Sequence, residues 1–181
     1  MDLTVTPTFG SSQHVGEQSP TPQLVKVIKG PRYPWQATVD GADLVVTGQL
    51  ATWFGGSDDP QDDGQTASGI STKSNPSFLG CALPLDYKLP PLPAVPPKSN
   101  PCAGAPFPKF PWFTNVIVTN LDSNLTVPVK LIDIGPSAPP KAVAAIDLTQ
   151  AAFVKLGGNL KKGSIRVTYR VIGGAKFMGL A

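Results

Sequence analysis

Histidine is almost missing from this chain: His14 is the only one among 181 residues. A zinc site of the usual Cys/His kind therefore lacks ligands, and no metal or cofactor is expected. Cysteine is nearly as scarce, with Cys81 and Cys102 the only two. A bridge between them would close a loop of roughly 20 residues and stabilise by ~3 kcal/mol in the chain-entropy model. Buried free thiols are the alternative. No apolar run approaches the ~20 residues of a membrane span, so no transmembrane segment is expected. The N-terminus also lacks the basic, apolar, small-residue order of a signal peptide, so an extracytoplasmic setting implies a removed leader or another export route. A formal net charge of +3 without a Lys/Arg stripe excludes a nucleic-acid footprint, although mild basicity suits an anionic bacterial wall. Helix-favouring runs are scarce outside residues 148–157.

What the chain does have is turn chemistry: 21 prolines and 18 glycines. That composition favours a mainly β fold with long ordered loops, in one domain with an extended arm. Residues 1–43 are largely polar and read as an arm that is partly extended, with a short alternation at Leu24-Val-Lys-Val-Ile-Lys. Leu44-Val-Val-Thr-Gly-Gln-Leu-Ala-Thr-Trp-Phe is rich in strand formers and opens the folded unit, 44–181. Asp58, Asp59, Asp62 and Asp63 then crowd one loop. Their spacing lacks the glutamate that closes a calcium loop, so a solvated acidic turn is the reading preferred. Proline dominates an excursion over residues 86–112, which reads as extended and polyproline-like.

Val116-Ile-Val-Thr-Asn-Leu and Thr126-Val-Pro-Val-Lys-Leu-Ile-Asp, joined by a polar turn, read as a hairpin with Pro128 at an edge or bulge. Asp147-Leu-Thr-Gln-Ala-Ala-Phe-Val-Lys-Leu-Gly reads as a short helix ended by Gly157-Gly158, with Leu148, Ala151, Ala152 and Leu156 on one face. Ile165, Val167, Tyr169 and Val171 alternate along a last strand.

Within this pattern Asp133 and Asp147 each close an aliphatic stretch, placing a carboxylate where a packed strand meets solvent. Two such acids suit proton transfer at a glycosidic bond. Each has a structural alternative: a helix cap for Asp147 and a turn leading into Gly135-Pro136 for Asp133. Trp53, Phe54, Trp112 and Tyr87 are candidates to stack on sugar faces. Core packing is the competing role for Trp53 and Phe54, whereas Trp112, among prolines, is expected to be exposed.

Three segments then show a family likeness. Asp133-Ile-Gly-Pro, Ile146-Asp-Leu-Thr-Gln-Ala-Ala-Phe-Val-Lys-Leu-Gly and Gly163-Ser-Ile-Arg-Val-Thr-Tyr-Arg-Val resemble the second half of double-psi β-barrels of the expansin and rare-lipoprotein-A (RlpA) type. Ala51-Thr-Trp-Phe-Gly-Gly, Gly64-Gln-Thr-Ala-Ser-Gly and Val116-Ile-Val-Thr-Asn-Leu resemble their opening strand, glycine turn and central strand. The likeness covers residues 44–172 and is most specific over 131–171.

It implies a six-stranded barrel with one or two short helices and a polysaccharide groove lined by Thr66, Asp133 and Asp147. The last corresponds to the catalytic acid of the related family 45 endoglucanases. RlpA-like lytic transglycosylases pair the first aspartate with an upstream histidine, and here that segment resembles Leu79-Gly-Cys-Ala-Leu-Pro, without one. The expectation is thus a monomeric, extracytoplasmic barrel that acts on peptidoglycan or a cellulose-like glycan, by cleavage or by loosening. Its rival is a non-catalytic glycan- or protein-binding module, which the missing histidine and the proline excursion favour. An inhibitor-like barrel is disfavoured by the low cysteine count.

Overall fold

The computed structural model describes residues 37–60, 62–84, 110–136 and 144–177. Seven strands and two short helices follow in order: β1 (Ala37–Asp40), β2 (Asp43–Phe54), β3 (Gly80–Leu83), β4 (Asn115–Asn120), β5 (Thr126–Ile134), β6 (Ala144–Thr149), α1 (Gln150–Lys155), β7 (Ile165–Val171) and α2 (Gly174–Phe177). Six of the strands close on themselves in the order β2-β6-β3-β5-β4-β7, because β2 pairs with both β6 and β7. Closure leaves no free edge within the ring. The β2–β6 and β3–β5 pairs are parallel and the other four junctions antiparallel. β1 is the extra strand, antiparallel on the first half of β2 and tied to the ring where Arg170 bridges Asp40 and Asp43. It lies inside the stretch expected to be an arm.

Period-two alternation fills the barrel. Val116, Val118 and Asn120 of β4, Val127, Val129 and Leu131 of β5, and Val167, Tyr169 and Val171 of β7 are all buried. Tyr169 keeps its hydroxyl satisfied inside by donating to the Ala145 carbonyl at 3.1 Å. Pro128 sits in β5 two residues before Lys130, where the pairing with β3 begins, so its missing N–H breaks no ladder on that side.

Two irregularities redirect the alternation. In β2 the inward residues are Leu44 and Val46 in the first half but Ala51 in the second, and the change follows a register shift between Val46 and Gln49. Gly48, at φ 67°, occupies that shift, a conformation few other residues adopt cheaply. In β5 the partner of Cys81 is Leu131 and that of Ala82 is Asp133, leaving Ile132 as an inserted residue. The first shift turns Thr52 outward, and the second does the same for Asp133.

The helix α1 starts later than the sequence pattern suggests. Asp147 and Leu148 belong to β6, and Thr149 is the N-cap, its hydroxyl accepting the Ala152 amide at 3.4 Å. The expected buried face is corrected accordingly to Ala152, Phe153 and Leu156, because Leu148 is spent in the strand. At the other end Gly157 has φ 80°, and the Gly157 and Gly158 amides donate to the Val154 and Phe153 carbonyls in a Schellman stop.

Gly80 shows how tightly β3 is held beside the inserted residue. A Cβ there would lie 2.5 Å from the Ile132 Cδ1 and 3.1 Å from the Thr149 Cγ2, with both neighbours buried. We expect Gly80→Ala to destabilise the protein by about 1–3 kcal/mol, read from the midpoint of urea unfolding. An unchanged midpoint would mean that Ile132 is free to give way.

Candidate functional site

Strand register brings the two aspartates together. Asp147 on β6 and Asp133 on β5 are both partners of Ala82 on the intervening β3, and Thr52 on β2 is the partner of Asp147 from the other side. Thr52, Asp147, Ala82 and Asp133 therefore form one rung across four neighbouring strands. Residues opposite one another in a ladder share a face. Here that face is the outside of the barrel, since the flanking Ala51, Ile146, Leu148 and Leu131 belong to the core. Both aspartates retain partial exposure.

Their environments differ. The Asp133 Oδ1 accepts the Ala67 amide at 3.0 Å and the Ile134 amide at 2.8 Å. Burial pushes its pKa above the ordinary carboxylate value, those two donors pull it down, and the charges of Asp62 and Asp63 push it up again. For Asp147 burial again comes first and carries the pKa to about 6. The Thr52 hydroxyl and the Leu148 amide counter this as donors, while the charges of Asp133 and Asp59 add to it. Its Oδ1 is hidden from solvent and has no hydrogen-bond partner. A carboxylate in that state favours holding a proton.

The loop between β2 and β3 closes over this rung. Its Ser68 amide donates to the Ile132 carbonyl at 3.0 Å, and the Ala67 amide reaches Asp133. Thr66, beside them, donates its hydroxyl to the Ile70 carbonyl at 2.7 Å and accepts from Ser68 Oγ at 3.1 Å, so one oxygen lone pair remains for a ligand. The acidic run forms turns: Asp62 accepts the Gly64 amide and the Thr72 hydroxyl, Asp63 accepts the Gln65 amide, and Asp59 accepts the Gly55 amide. Asp58 bonds the Gln150 side-chain amide. Beside Asp59 a cavity of about 530 Å³ opens, lined by Gly56, Ser57, Pro60, Lys73 and Pro76 as well. Among the described residues no three His, Cys, Asp or Glu side chains are grouped to hold a metal ion.

The aromatic candidates separate. Trp53 packs against the core, with its indole N–H donating to the Leu160 carbonyl at 3.3 Å. Phe54 follows Thr52 by two residues and is half-buried on the same side of β2. Trp112, expected in solvent, packs instead against the core, and its neighbour Phe113 is the exposed one, at φ 65°. The cause is the hairpin entry: the Phe113 amide donates to the Leu131 carbonyl at 2.8 Å, which fixes the chain direction there. Tyr87 lies outside the described residues.

Cys81 is a free, fully buried thiol, and Cys102 lies outside the described residues. Burial, and secondarily the Asp147 charge, push that thiol far above its ordinary pKa, so it neither relays protons nor acts as a nucleophile near neutrality. Thr52 is the residue that sequence reasoning missed. Its signal was there: between inward Ala51 and Trp53, the intervening threonine has to face out.

No known family model matches the chain, and no curated protein matches it. Among solved structures it is similar to the Streptomyces papain inhibitor, with 25% identity and a TM-score of 0.44, covering 77% of this chain and 98% of that one. It is also similar to the apo expansin of Clavibacter michiganensis, with 19% identity and a TM-score of 0.37, over 68% of this chain and 48% of that one. The chain thus matches about half the length of that expansin. Its closed ring of six strands with two parallel pairs fits the double-psi, expansin-like barrel implied by the sequence resemblance. Among the described residues no helix is long and apolar enough to cross a membrane.

The raised pKa of Asp147 has a thermodynamic consequence. The folded protein holds this proton more tightly than the unfolded chain, whose reference value is 3.8 against about 6 when folded. Stability from this group is therefore full below pH ~4 and lost as pH rises through ~6. Asp147→Asn stays uncharged, so its stability relative to the parent should rise over that window, by up to about 2–3 kcal/mol. Thermal melts across the window test this, and a difference that stays constant with pH would contradict it. Thr52→Val removes a donor to the ionised form and should move the Asp147 midpoint upward in a carboxyl NMR titration. An unmoved or lowered midpoint would show that Thr52 does not hold the carboxylate.

Proposed function

We propose that the rung from Thr52 to Asp133 is the centre of a groove that binds a polysaccharide, with Asp147 as the proton donor to a glycosidic oxygen. The observation that carries this reading is the Asp147 carboxyl, one oxygen of which has no partner, with its pKa near 6, on the same outward rung as a second carboxylate. Near neutral pH such a group still delivers protons at a useful rate.

Asp133, pinned by two amides, is the complementary base or polar anchor. The two backbones are two strand spacings apart, ~10 Å, which suits carboxylates that work from two sides of one bond. In an RlpA-like, lytic course Asp147 protonates the leaving oxygen as the C1–O bond breaks. The sugar's own 6-hydroxyl then bonds C1, and Asp133 takes the hydroxyl proton. Phe54 offers an apolar face to a sugar ring, and the Thr66 oxygen accepts from a sugar hydroxyl. Peptidoglycan or a cellulose-like glycan outside the cytoplasm is the substrate class, and the working unit is a monomer.

A second reading is favoured by one specific observation. Between the two acids β3 supplies only Ala82, and the upstream segment Leu79-Gly-Cys-Ala-Leu-Pro brings no histidine. In that case the groove binds or loosens glycan and cuts nothing, as an expansin-like or structural module would.

Incubation with purified peptidoglycan and with cellulose, followed by mass analysis of the soluble fraction, separates the two. The catalytic reading expects fragments whose release falls about 10²–10⁴-fold in Asp147→Asn. Co-sedimentation with the polymer and no fragments would establish the binding module instead. Neither fragments nor co-sedimentation would overturn both.

A further inference from the structure

Charge is unevenly placed in this protein. The chain carries a net +3, yet Asp58, Asp59, Asp62, Asp63, Asp133 and Asp147, half of its 12 acidic residues, gather about one rung and the loop over it. Asp58, Asp62, Asp63 and Asp133 are met by neutral donors: the Gln150 amide, the Gly64 amide and Thr72 hydroxyl, the Gln65 amide, and the Ala67 and Ile134 amides. The ion pairs found among the described residues belong to Arg170 with Asp40 and Asp43, where β7 meets β1 and the start of β2. Among the described residues Lys73 is the one cation lining the adjacent cavity, and its stem lies against Gly64 at an exposed rim.

Two further observations narrow what would complement this field. The carboxylates are not grouped as metal ligands, so a single small cation is not the match. Asp147 keeps one oxygen buried and without any donor, a vacancy suited to a group that brings its own N–H protons. A row of separated carboxylates with one unfilled acceptor fits a polymer that bears a positive donor on successive units. Free amines on a sugar chain are such donors: each ammonium offers charge and up to three N–H bonds, whereas an acetamide offers one N–H and no charge.

We propose that the groove is selective for amine-bearing glycans, the de-N-acetylated forms of amino-sugar polymers, over their N-acetylated and uncharged counterparts. This rests on the saccharide reading above. The acidic field raises the local concentration of the cationic chain, and the carboxylates supply charge-assisted hydrogen bonds on contact.

Isothermal titration of the full chain compares a glucosamine tetramer, an N-acetylglucosamine tetramer and cellotetraose, at a pH where the amines are protonated. The glucosamine tetramer should bind at least about tenfold tighter than the other two, with the advantage shrinking as salt is added. Asp63→Asn should reduce that advantage severalfold while leaving the affinity for the N-acetylated tetramer in place. Asp63→Asn keeps the acceptor for the Gln65 amide in an exposed turn, so it reads charge without loss of fold. Equal binding of all three sugars would overturn the selectivity and leave the saccharide groove standing. Binding of none would overturn both. A lysine tetramer that binds as tightly as the glucosamine tetramer would assign the field to a basic peptide and overturn the inference.

Discussion

A single inserted residue, Ile132, governs how the outside of this barrel is used. Without it Asp133 would continue the inward alternation of Val127, Val129 and Leu131, and a carboxylate would point into a core of aliphatic side chains. The insertion reverses the parity just before the strand ends, and Ile132 itself packs over Gly80, where a side chain has no room. The Gly48 shift in β2 does the corresponding job for Thr52. Both bulges are thus structural requirements of the same rung, which is why it can be polar on the outside while its neighbours on either side are sealed within.

On that rung electrostatics and burial oppose each other. Each aspartate is partly withdrawn from water, which favours the protonated form, and each lies within reach of other carboxylates, which pushes the same way. What separates them is hydrogen bonding. Asp133 has two backbone amides fixed on one oxygen, whereas Asp147 leaves one oxygen without a partner. An anchored acceptor and a loosely satisfied acid, held on either side of β3 in one sheet, are two different chemical tools made from one residue type. The loop carrying Ala67 and Ser68 takes part in this division, because its amides bond to both the inserted residue and the carboxylate that follows it.

Much of the barrel was legible in the sequence, and the failures have physical causes. β2, the β4–β5 hairpin and β7 announced themselves through alternation bounded by turn residues, and the two aspartates through their place at the ends of aliphatic runs. The start of α1 was misplaced because aspartate before Leu-Thr-Gln-Ala-Ala reads as a cap, while Thr149 takes that role and also donates to the Phe78 carbonyl. That threonine links the helix to the segment entering β3, a long-range contact invisible to local pattern. Thr52 went unnoticed because a threonine in a strand is ordinary; only the register with Asp147 gives it meaning. Trp112 turned inward, against expectation, because the backbone bond from Phe113 to Leu131, and not the prolines around it, sets the direction of the chain.

The central claim is that the outward rung of Thr52, Asp147, Ala82 and Asp133 is where a glycan lies. Diffraction from crystals soaked with a short amino-sugar or cellulose oligomer tests it most directly. The account predicts a sugar chain crossing Ala82, with a glycosidic oxygen within hydrogen-bond reach, about 3 Å, of the Asp147 carboxyl. An oligomer seated elsewhere on the barrel, with this rung left to water, would contradict it.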